Sequence, residues 1–534
     1  LIVKADVETS YAVLVADTMN EDGLLPLIKN ENIEVVQGKP NEVDDLSRFS
    51  ALLVRSATQV DASLLEQMPE LKIVARAGVG IDNIDLDAAT KHGVIVINAP
   101  DGNTISTTEH TFAMMMALVR NIPQAYSSLK NHEWNRKAFQ GTELRGKTLG
   151  IIGLGRIGTE LANRAAAFQM NTAVFDPFLT AERAQKIGVK LLKLEELLQT
   201  ADIITVHTPL TKETEDLLGK ENLAKTKPGV FILNCARGGI VNEAALKEAL
   251  DSGHVAGAAL DVFEHEPADN YNLIDMPQVI ATPHIAASTL EAQESVAVQV
   301  AEEVIQVLNG APAPHSINLP AISEELYEKI RPYYELTSTM GYFVSQCVKS
   351  AVQHIDVSFS GAIAHEETTV LSRSFMAGFL SPRIAAPVNV VNAGVIAEER
   401  GITYSQAHTS ESYGYANLVE AHISGDNGDF IVQGTYIDAY GPRIIKINEF
   451  NVDLIPTGHL IYIRHSDQPG VIGKMGQLLG RHDVNIAKMQ VGRKEEGGEA
   501  IMMLAVDKEV SDSVINDLTA VEEIHAADAI EFHK

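Results

Sequence analysis

Apolar residues along the first hundred positions fall in short, nearly continuous runs separated by helical periodicity. Ala12 to Ala16, Ala51 to Val54, Leu71 to Ala75 and Val94 to Asn98 read as strands covered on both faces, the pattern of a small doubly wound parallel α/β unit. From Thr104 to Arg120 the spacing becomes helical, with Thr and Ser capping candidates at its start. A second series of strands follows: Thr148 to Ile152, Thr172 to Phe175, Ile203 to Val206, Val230 to Leu233, Gly257 to Val262 and Val279 to Ala281, with helical stretches between most of them. An amphipathic helix over Thr289 to Leu308 ends at Gly310 and the prolines at 312 and 314. Beyond residue 318 the texture is α+β, with alternation in His354 to Phe359 and Phe430 to Tyr436. From Gly458 the order is Leu460 to Arg464, helix Val471 to His482, Val484 to Gly492, Ala500 to Val506, helix Asp512 to Thr519 and Ala529 to His533, a βαββαβ layout of the ferredoxin-like kind. Residues 1 to 10 precede the first strand and receive no role.

A length of 534 residues predicts three or four domains. The composition, 45% hydrophobic and 21% charged, is that of ordinary globular proteins and excludes wholesale disorder. The longest apolar candidate, Phe112 to Val119, is far short of the roughly 18 residues that a membrane helix requires. No basic, apolar and small-residue leader pattern opens the chain. Two cysteines, Cys235 and Cys347, cannot form a disulfide framework, so a reducing compartment, the cytoplasm, is expected. A net charge of −29 repels nucleic acid and anionic membranes. An anionic metabolite would be repelled too, so a site for one requires locally clustered arginines.

The sharpest local motif is Gly153-Leu-Gly155-Arg-Ile-Gly158, directly after a strand and opening a helix, with Asp176 ending the next strand. Glycines permit the tight turn and close approach of a pyrophosphate, and the helix N-terminus supplies N–H groups and positive dipole. Asp176 would accept from ribose hydroxyls and repel a 2′-phosphate, which favours NAD over NADP. Six strands in this context predict an open parallel sheet of the Rossmann kind. Polar residues cluster where later strands end: His207-Thr208-Pro209, Cys235-Ala236-Arg237-Gly238, Asp261 with Glu264 and Glu266, and His284. Hydride removal from a 2-hydroxy acid needs a base for the hydroxyl proton and a cation for the carboxylate; His284 and Arg237 supply them, and Glu266 can steady the imidazolium. A reactive role for Cys235 competes with the plainer reading of a small residue closing a buried strand, which is preferred. The histidines have no metal-ligand spacing, so no metal is predicted.

These residues resemble the D-specific 2-hydroxyacid dehydrogenases, through Arg76-Ala-Gly-Val-Gly-Ile-Asp-Asn83, Gly153 to Gly158, Val206-His-Thr-Pro209, Asn234-Cys-Ala-Arg-Gly-Gly239, Ala259-Leu-Asp-Val262 and Pro283-His284. The resemblance implies Arg237, Glu266 and His284 as the catalytic set. It implies that Gly153, Gly155, Arg156, Ile157, Gly158, Asp176, His207, Thr208, Pro209, Cys235, Ala236, Asp261 and Ala286 line the NAD site. It further implies substrate contacts from Arg55, Arg76, Gly78, Val79 and Asn103, with Val79 departing from the hydroxyl residue of relatives. A phosphate and a carboxylate at opposite ends of a three-carbon acid need separate cations, and the implied reaction is NAD-dependent oxidation of D-3-phosphoglycerate to 3-phosphohydroxypyruvate, the first step of phosphorylated L-serine biosynthesis. In the family's layout a nucleotide domain, here 105–285, interrupts a substrate domain, here 11–104 and 286–317.

The C-terminal extensions carry further expectations. Residues 318–457 resemble an intervening allosteric substrate-binding domain, and 458–534 an ACT domain whose amino-acid site implies L-serine as an effector near His465, Asp467 and Asn485. An ACT module that only dimerises is the plainer alternative. The segment with Trp134, the single tryptophan, and Arg136 reaches a neighbouring subunit in relatives, so a homo-oligomer, a tetramer by resemblance, is expected; an ordinary buried anchor is the competing reading for Trp134. Two alternatives stand beside the main reading: a dehydrogenase of another 2-hydroxy or 2-oxo acid such as 2-oxoglutarate, and a non-catalytic NAD-sensing binding protein.

Overall fold

The structure is a computed structural model that describes residues 11–269, 271–409 and 414–532. Residues 1–10 and His533, the last residue of the final expected strand, lie outside the described residues. Five parallel strands open the chain: β1 (Tyr11–Val15), β2 (Ile33–Gln37), β3 (Phe49–Val54), β4 (Ile73–Arg76) and β5 (Ile95–Asn98), in the order β2-β1-β3-β4-β5. Their apolar runs are continuous because both faces are covered. Val13, Leu53, Ile73 and Ile97 pack under Val296, Val300 and Val304 of the Leu290–Leu308 helix, while Leu14, Leu52, Val74 and Val96 pack under Leu64, Leu65 and Ala89. The chain thus leaves this unit and returns to it through that helix, whose N-terminus is capped by Thr289.

The Thr104–Val119 helix crosses to a seven-stranded parallel sheet: β6 (Thr148–Ile152), β7 (Asn171–Phe175), β8 (Lys190–Leu191), β9 (Ile203–Val206), β10 (Val230–Asn234), β11 (Val255–Leu260) and β12 (Val279–Ala281). Its order, β12-β11-β10-β9-β6-β7-β8, reverses direction between β6 and β9, which creates a switch point beside the glycine-rich turn. Met114, Met115 and Leu118 of the crossing helix pack on Leu149, Leu233 and Ala259 of this sheet.

Six further strands, β13 (Val352–Gly361), β14 (Thr403–Thr409), β15 (Asn417–Gly425), β16 (Gly428–Ile437), β17 (Gly441–Ile447) and β18 (Phe450–Leu454), form a mixed sheet in which only β13 and β14 run parallel. Helices Glu324–Cys347 and Thr369–Leu380 lie together on it; Gly341 and Gly378 let the two backbones touch, since a Cβ at either would strike the other helix's carbonyls. The last unit is β19 (Gly458–Ser466), β20 (Ile486–Arg493), β21 (Glu499–Val506) and β22 (Ile524–Phe532), antiparallel in the order β20-β21-β19-β22. One face carries its helices Val471–Arg481 and Asp512–Thr519. Leu460, Tyr462, Met503 and Phe532 on the other face join the core of the preceding unit. Gln346 ties the two together by exchanging hydrogen bonds of 3.0 and 2.9 Å with the backbone of Glu531.

Candidate active site

The candidate site residues lie where the parallel strands of the first two sheets end, the position at which open α/β sheets bind ligands. Arg55 follows β3 and Arg76 closes β4; Thr208, Arg237, Asp261 and His284 follow β9, β10, β11 and β12. His284 has a left-handed backbone, φ 53°, uncommon for a residue with a side chain. Asp261 fixes that turn. Its fully buried carboxylate accepts from Thr282 Oγ1 at 2.6 Å and from the N–H groups of Ile285 and Ala286, each at 2.9 Å. Burial pushes the Asp261 carboxyl up, but bonds from His110, Thr282, Ile285 and Ala286 outweigh it and hold it below its usual range.

Within this frame His284 Nδ1 lies 2.6 Å from Glu266 Oε2. The other oxygen of Glu266, Oε1, accepts from the N–H of Phe263 at 3.1 Å. Burial alone would raise the Glu266 carboxyl; the bond and charge of His284, with the Phe263 N–H and the charge of Arg237, lower it instead. Glu266 is therefore a carboxylate at neutral pH, and with Nδ1 tied to it, Nε2 of His284 is the ring nitrogen left for a substrate proton.

Arg76 and Arg237 share the Gly78-Val79-Gly80 turn. A Cβ at Gly78 would overlap the guanidinium of Arg76 and one at Gly80 that of Arg237, so the glycines are what lets two cations lie against this backbone. Burial, then the positive charge of Arg237, lowers Arg76 to about 10, and Arg55 adds to the effect. The three arginines are thus the local cationic cluster that the overall charge demands of an anion site. The loop carrying Arg55 is held from two sides: Asp17 accepts from its N–H at 2.6 Å and from Thr58 Oγ1 at 2.6 Å, and Asn83 donates to the carbonyls of Arg55 and Thr58. Asn103, just before the crossing helix, keeps its Oδ1 buried without a protein partner. The carbonyl of Val79 accepts from Asn98 Nδ2.

The glycine-rich turn fits a dinucleotide. Gly153 has φ 92°, and a Cβ there would meet the carbonyl of His207 at 2.5 Å; Gly158 abuts the carbonyl of Gly153. Around Gly155, by contrast, a Cβ would meet nothing within 4 Å, so this glycine leaves open space at the N-terminus of the Arg156–Ala167 helix, where a pyrophosphate would lie. Asp176 accepts from the N–H of Leu154 and of Phe178, both at 2.8 Å. Arg156 is paired with Asp101. His207 bonds Thr205 at 2.9 Å and leaves Nδ1 buried and unpartnered, as is Thr208 Oγ1; burial lowers His207 to about 4, so its ring is neutral. Ala236 and Ala286 enter through backbone: the N–H of Ala236 donates to Asn234. Cys235 is buried, and burial pushes its thiol up to about 12, with the charge of Asp261 adding to the shift, which leaves it protonated.

Three family descriptions match the chain: the NAD binding domain of D-isomer specific 2-hydroxyacid dehydrogenases over residues 112–286, the D-3-phosphoglycerate dehydrogenase intervening domain over 329–448, and the ACT domain over 459–523. A D-3-phosphoglycerate dehydrogenase of Bacillus subtilis is 57% identical, over 96% of this chain and 98% of that protein. One from Archaeoglobus fulgidus is 43% identical, over 97% and 99%. The chain belongs to the D-3-phosphoglycerate dehydrogenase family. The chain also matches solved structures, among them a D-lactate dehydrogenase from Aquifex aeolicus complexed with NAD and lactic acid, with 30% identity, a TM-score of 0.53 and coverage of 58% of this chain and 99% of that one. This chain carries the ACT unit, where the expected effector residues are dispersed among local partners. His465 is buried with Nε2 unpartnered, the carboxylate of Asp467 accepts from Arg493 at 3.3 Å and from the N–H of Gly497, and Asn485 donates to Asp507 at 2.6 Å. Trp134 is 80% exposed, which rules out the buried anchor.

Sequence reasoning assigned no role to Asp17, Asp82, Asn83 or His110. Asp17 and Asn83 set the Arg55 loop, His110 bonds Thr282 at 3.1 Å beside Asp261, and Asp82 pairs with Arg237. A polar residue just past the C-terminal end of a parallel strand was a signal available for Asp17.

Proposed function

We propose that this chain oxidises D-3-phosphoglycerate to 3-phosphohydroxypyruvate with NAD, through Arg237, Glu266 and His284. The observation that carries the reading is the 2.6 Å His284–Glu266 bond placed in a cleft with three arginines. Gly153 to Gly158 and Asp176 would hold NAD, which when bound would supply the acceptor for the C2 hydride. His284 Nε2 takes the hydroxyl proton as that hydride leaves, and the Glu266 carboxylate stabilises the imidazolium so formed. Arg237 grips the substrate carboxylate, Arg55 and Arg76 face the phosphate, and Asn103, Gly78 and Val79 line the remaining wall. We divide the chain into a substrate domain (11–104 and 286–317), an NAD domain (105–285), an intervening domain (318–457) and an ACT domain (458–534).

L-serine acts as effector at His465, Asp467 and Asn485 in this reading, and the active unit is a homo-oligomer, a tetramer. The exposed Trp134, Tyr126 and Leu129 support a subunit contact. A cytoplasmic setting is supported by two unpaired cysteines; among the described residues no helix is long and apolar enough to cross a membrane. The test is NADH formation from NAD and D-3-phosphoglycerate with the product trapped, repeated with L-serine. Turnover suppressed by serine is expected. Turnover without serine sensitivity removes the effector role, and turnover only with another hydroxy acid overturns the substrate assignment.

A further inference from the structure

Asp82 follows β4 in the five-stranded unit, and Arg237 follows β10 in the seven-stranded unit, 155 positions away. Their ion pair therefore spans the cleft: Arg237 Nε donates to Asp82 Oδ2 at 3.2 Å. Nη1 of the same guanidinium is engaged separately, donating to the carbonyl of Ala236 at 2.7 Å. Nη2 lies directly over Gly80, and a Cβ built on Gly80 would also meet Asp82 Oδ2 at 2.7 Å. Nε, Nη2 and the aspartate oxygen thus converge above one glycine.

Nε and Nη2 form the side edge of a guanidinium, one of the two edges able to hold a carboxylate by paired N–H bonds. Asp82 occupies that edge through a single oxygen. Its side chain is 68% exposed, against 27% for Arg237, so the contact is a solvent-screened pair of low intrinsic strength. A ligand carboxylate able to use both N–H groups at once makes the stronger interaction at the same edge. It cannot do so while Asp82 stays in place.

We propose that Asp82 is a built-in competitor for the carboxylate-gripping edge of Arg237, an internal carboxylate that links the two units across the cleft and yields the edge to the substrate's carboxylate. The proposal rests on Arg237 as the substrate-carboxylate cation. It makes Asp82 a determinant of substrate affinity that takes no part in hydride or proton transfer. Occupying the edge also shields a cluster of three cations from one another while the substrate is away.

The test is steady-state kinetics of D82N and D82E at saturating NAD, with glycerol 3-phosphate, which has the phosphate but no carboxylate, as a competitive inhibitor. Removing the competitor should lower the KM for D-3-phosphoglycerate by roughly two- to fivefold, the range of an exposed ion pair, with kcat unchanged. The inhibition constant of glycerol 3-phosphate should stay at the wild-type value, and D82E should restore the wild-type KM. A rise in KM for D82N would make Asp82 a support for Arg237 and overturn the proposal. So would an equal fall in both constants, which is the signature of a remote charge, and so would an unchanged KM. Thermal unfolding of each variant separates these results from misfolding. Wild-type protein that fails to oxidise D-3-phosphoglycerate overturns the functional reading itself; wild-type turnover with an unaltered D82N overturns this inference alone.

Discussion

His284 Nδ1 and Glu266 Oε2 lie 2.6 Å apart, so the imidazole is oriented by a carboxylate and keeps Nε2 for chemistry. His284→Ala removes the proposed proton acceptor and should lower kcat by about 10²–10⁴-fold, the usual worth of a general base. Glu266→Gln keeps the side-chain shape but not the charge that stabilises the imidazolium, so it too should lower kcat. NAD binding, followed by calorimetry, should survive both changes. Wild-type turnover in His284→Ala would remove this residue from the mechanism.

Asp261 supports the same turn from beneath, and its effect is on stability. Its folded-state carboxyl lies below the ordinary value because four hydrogen bonds outweigh burial. A depressed carboxyl contributes stability that is fully present above its unfolded value near 3.9 and is lost as pH falls through the lower, folded value. Asp261→Asn should cost about 1–3 kcal/mol at pH 7, since it leaves the Ile285 and Ala286 N–H groups poorly paired. The gap between the thermal midpoints of the two proteins should narrow as pH is taken below about 4. A gap that is constant with pH would mean that the carboxylate's charge is not what holds the turn.

The strands whose bounds were most legible in the sequence are among those covered on both faces. Thr148–Ile152, Ile203–Val206 and Val279–Ala281 are found with the expected bounds, because burial on two sides leaves no polar alternation to blur them. Ile33–Gln37 was not anticipated: it is the edge strand of its sheet, it is half exposed, and Glu34 and Gln37 break its apolar run. β11 runs from Val255 to Leu260 instead of Gly257 to Val262, since Asp261 has already left the strand to brace the His284 turn. At the site, the glycine-rich turn and the side chains proposed as catalytic are local signals that the sequence itself displays. The pairing of Asp82 with Arg237 joins two sheets, and no spacing rule reaches across 155 positions.

Two glycines of the 153–158 turn make different predictions because their surroundings differ. Gly155 has an ordinary backbone, φ −74°, and open space where a Cβ would project. Gly155→Ala should leave stability within about 0.5 kcal/mol of wild type yet raise the KM for NAD, because the methyl group enters the space needed by the pyrophosphate. Gly158→Ala drives a Cβ into the carbonyl of Gly153 and should cost roughly 1–3 kcal/mol of stability as helix and strand are forced apart. Parallel thermal unfolding and NAD titration of both variants measure the contrast. Equal loss of stability in the two would mean that Gly155 is also a packing residue.

Asp176 carries two duties that a substitution separates. Its negative charge at the end of β7 would disfavour a 2′-phosphate in the proposed site, while its two oxygens hold the N–H groups of Leu154 and Phe178 and so shape the glycine-rich turn. Asp176→Ser removes the repulsion and loosens the turn together. The kcat/KM for NAD should fall on the order of tenfold, the worth of a hydrogen bond to a charged group, while kcat/KM for NADP rises in relative terms, shifting the ratio toward NADP. Nearby basic side chains offer little to hold the phosphate, since Arg156 is paired with Asp101, so the shift should stop short of NADP preference. A fall in both specificity constants by the same factor would assign Asp176 to the turn alone and leave cofactor choice to other residues.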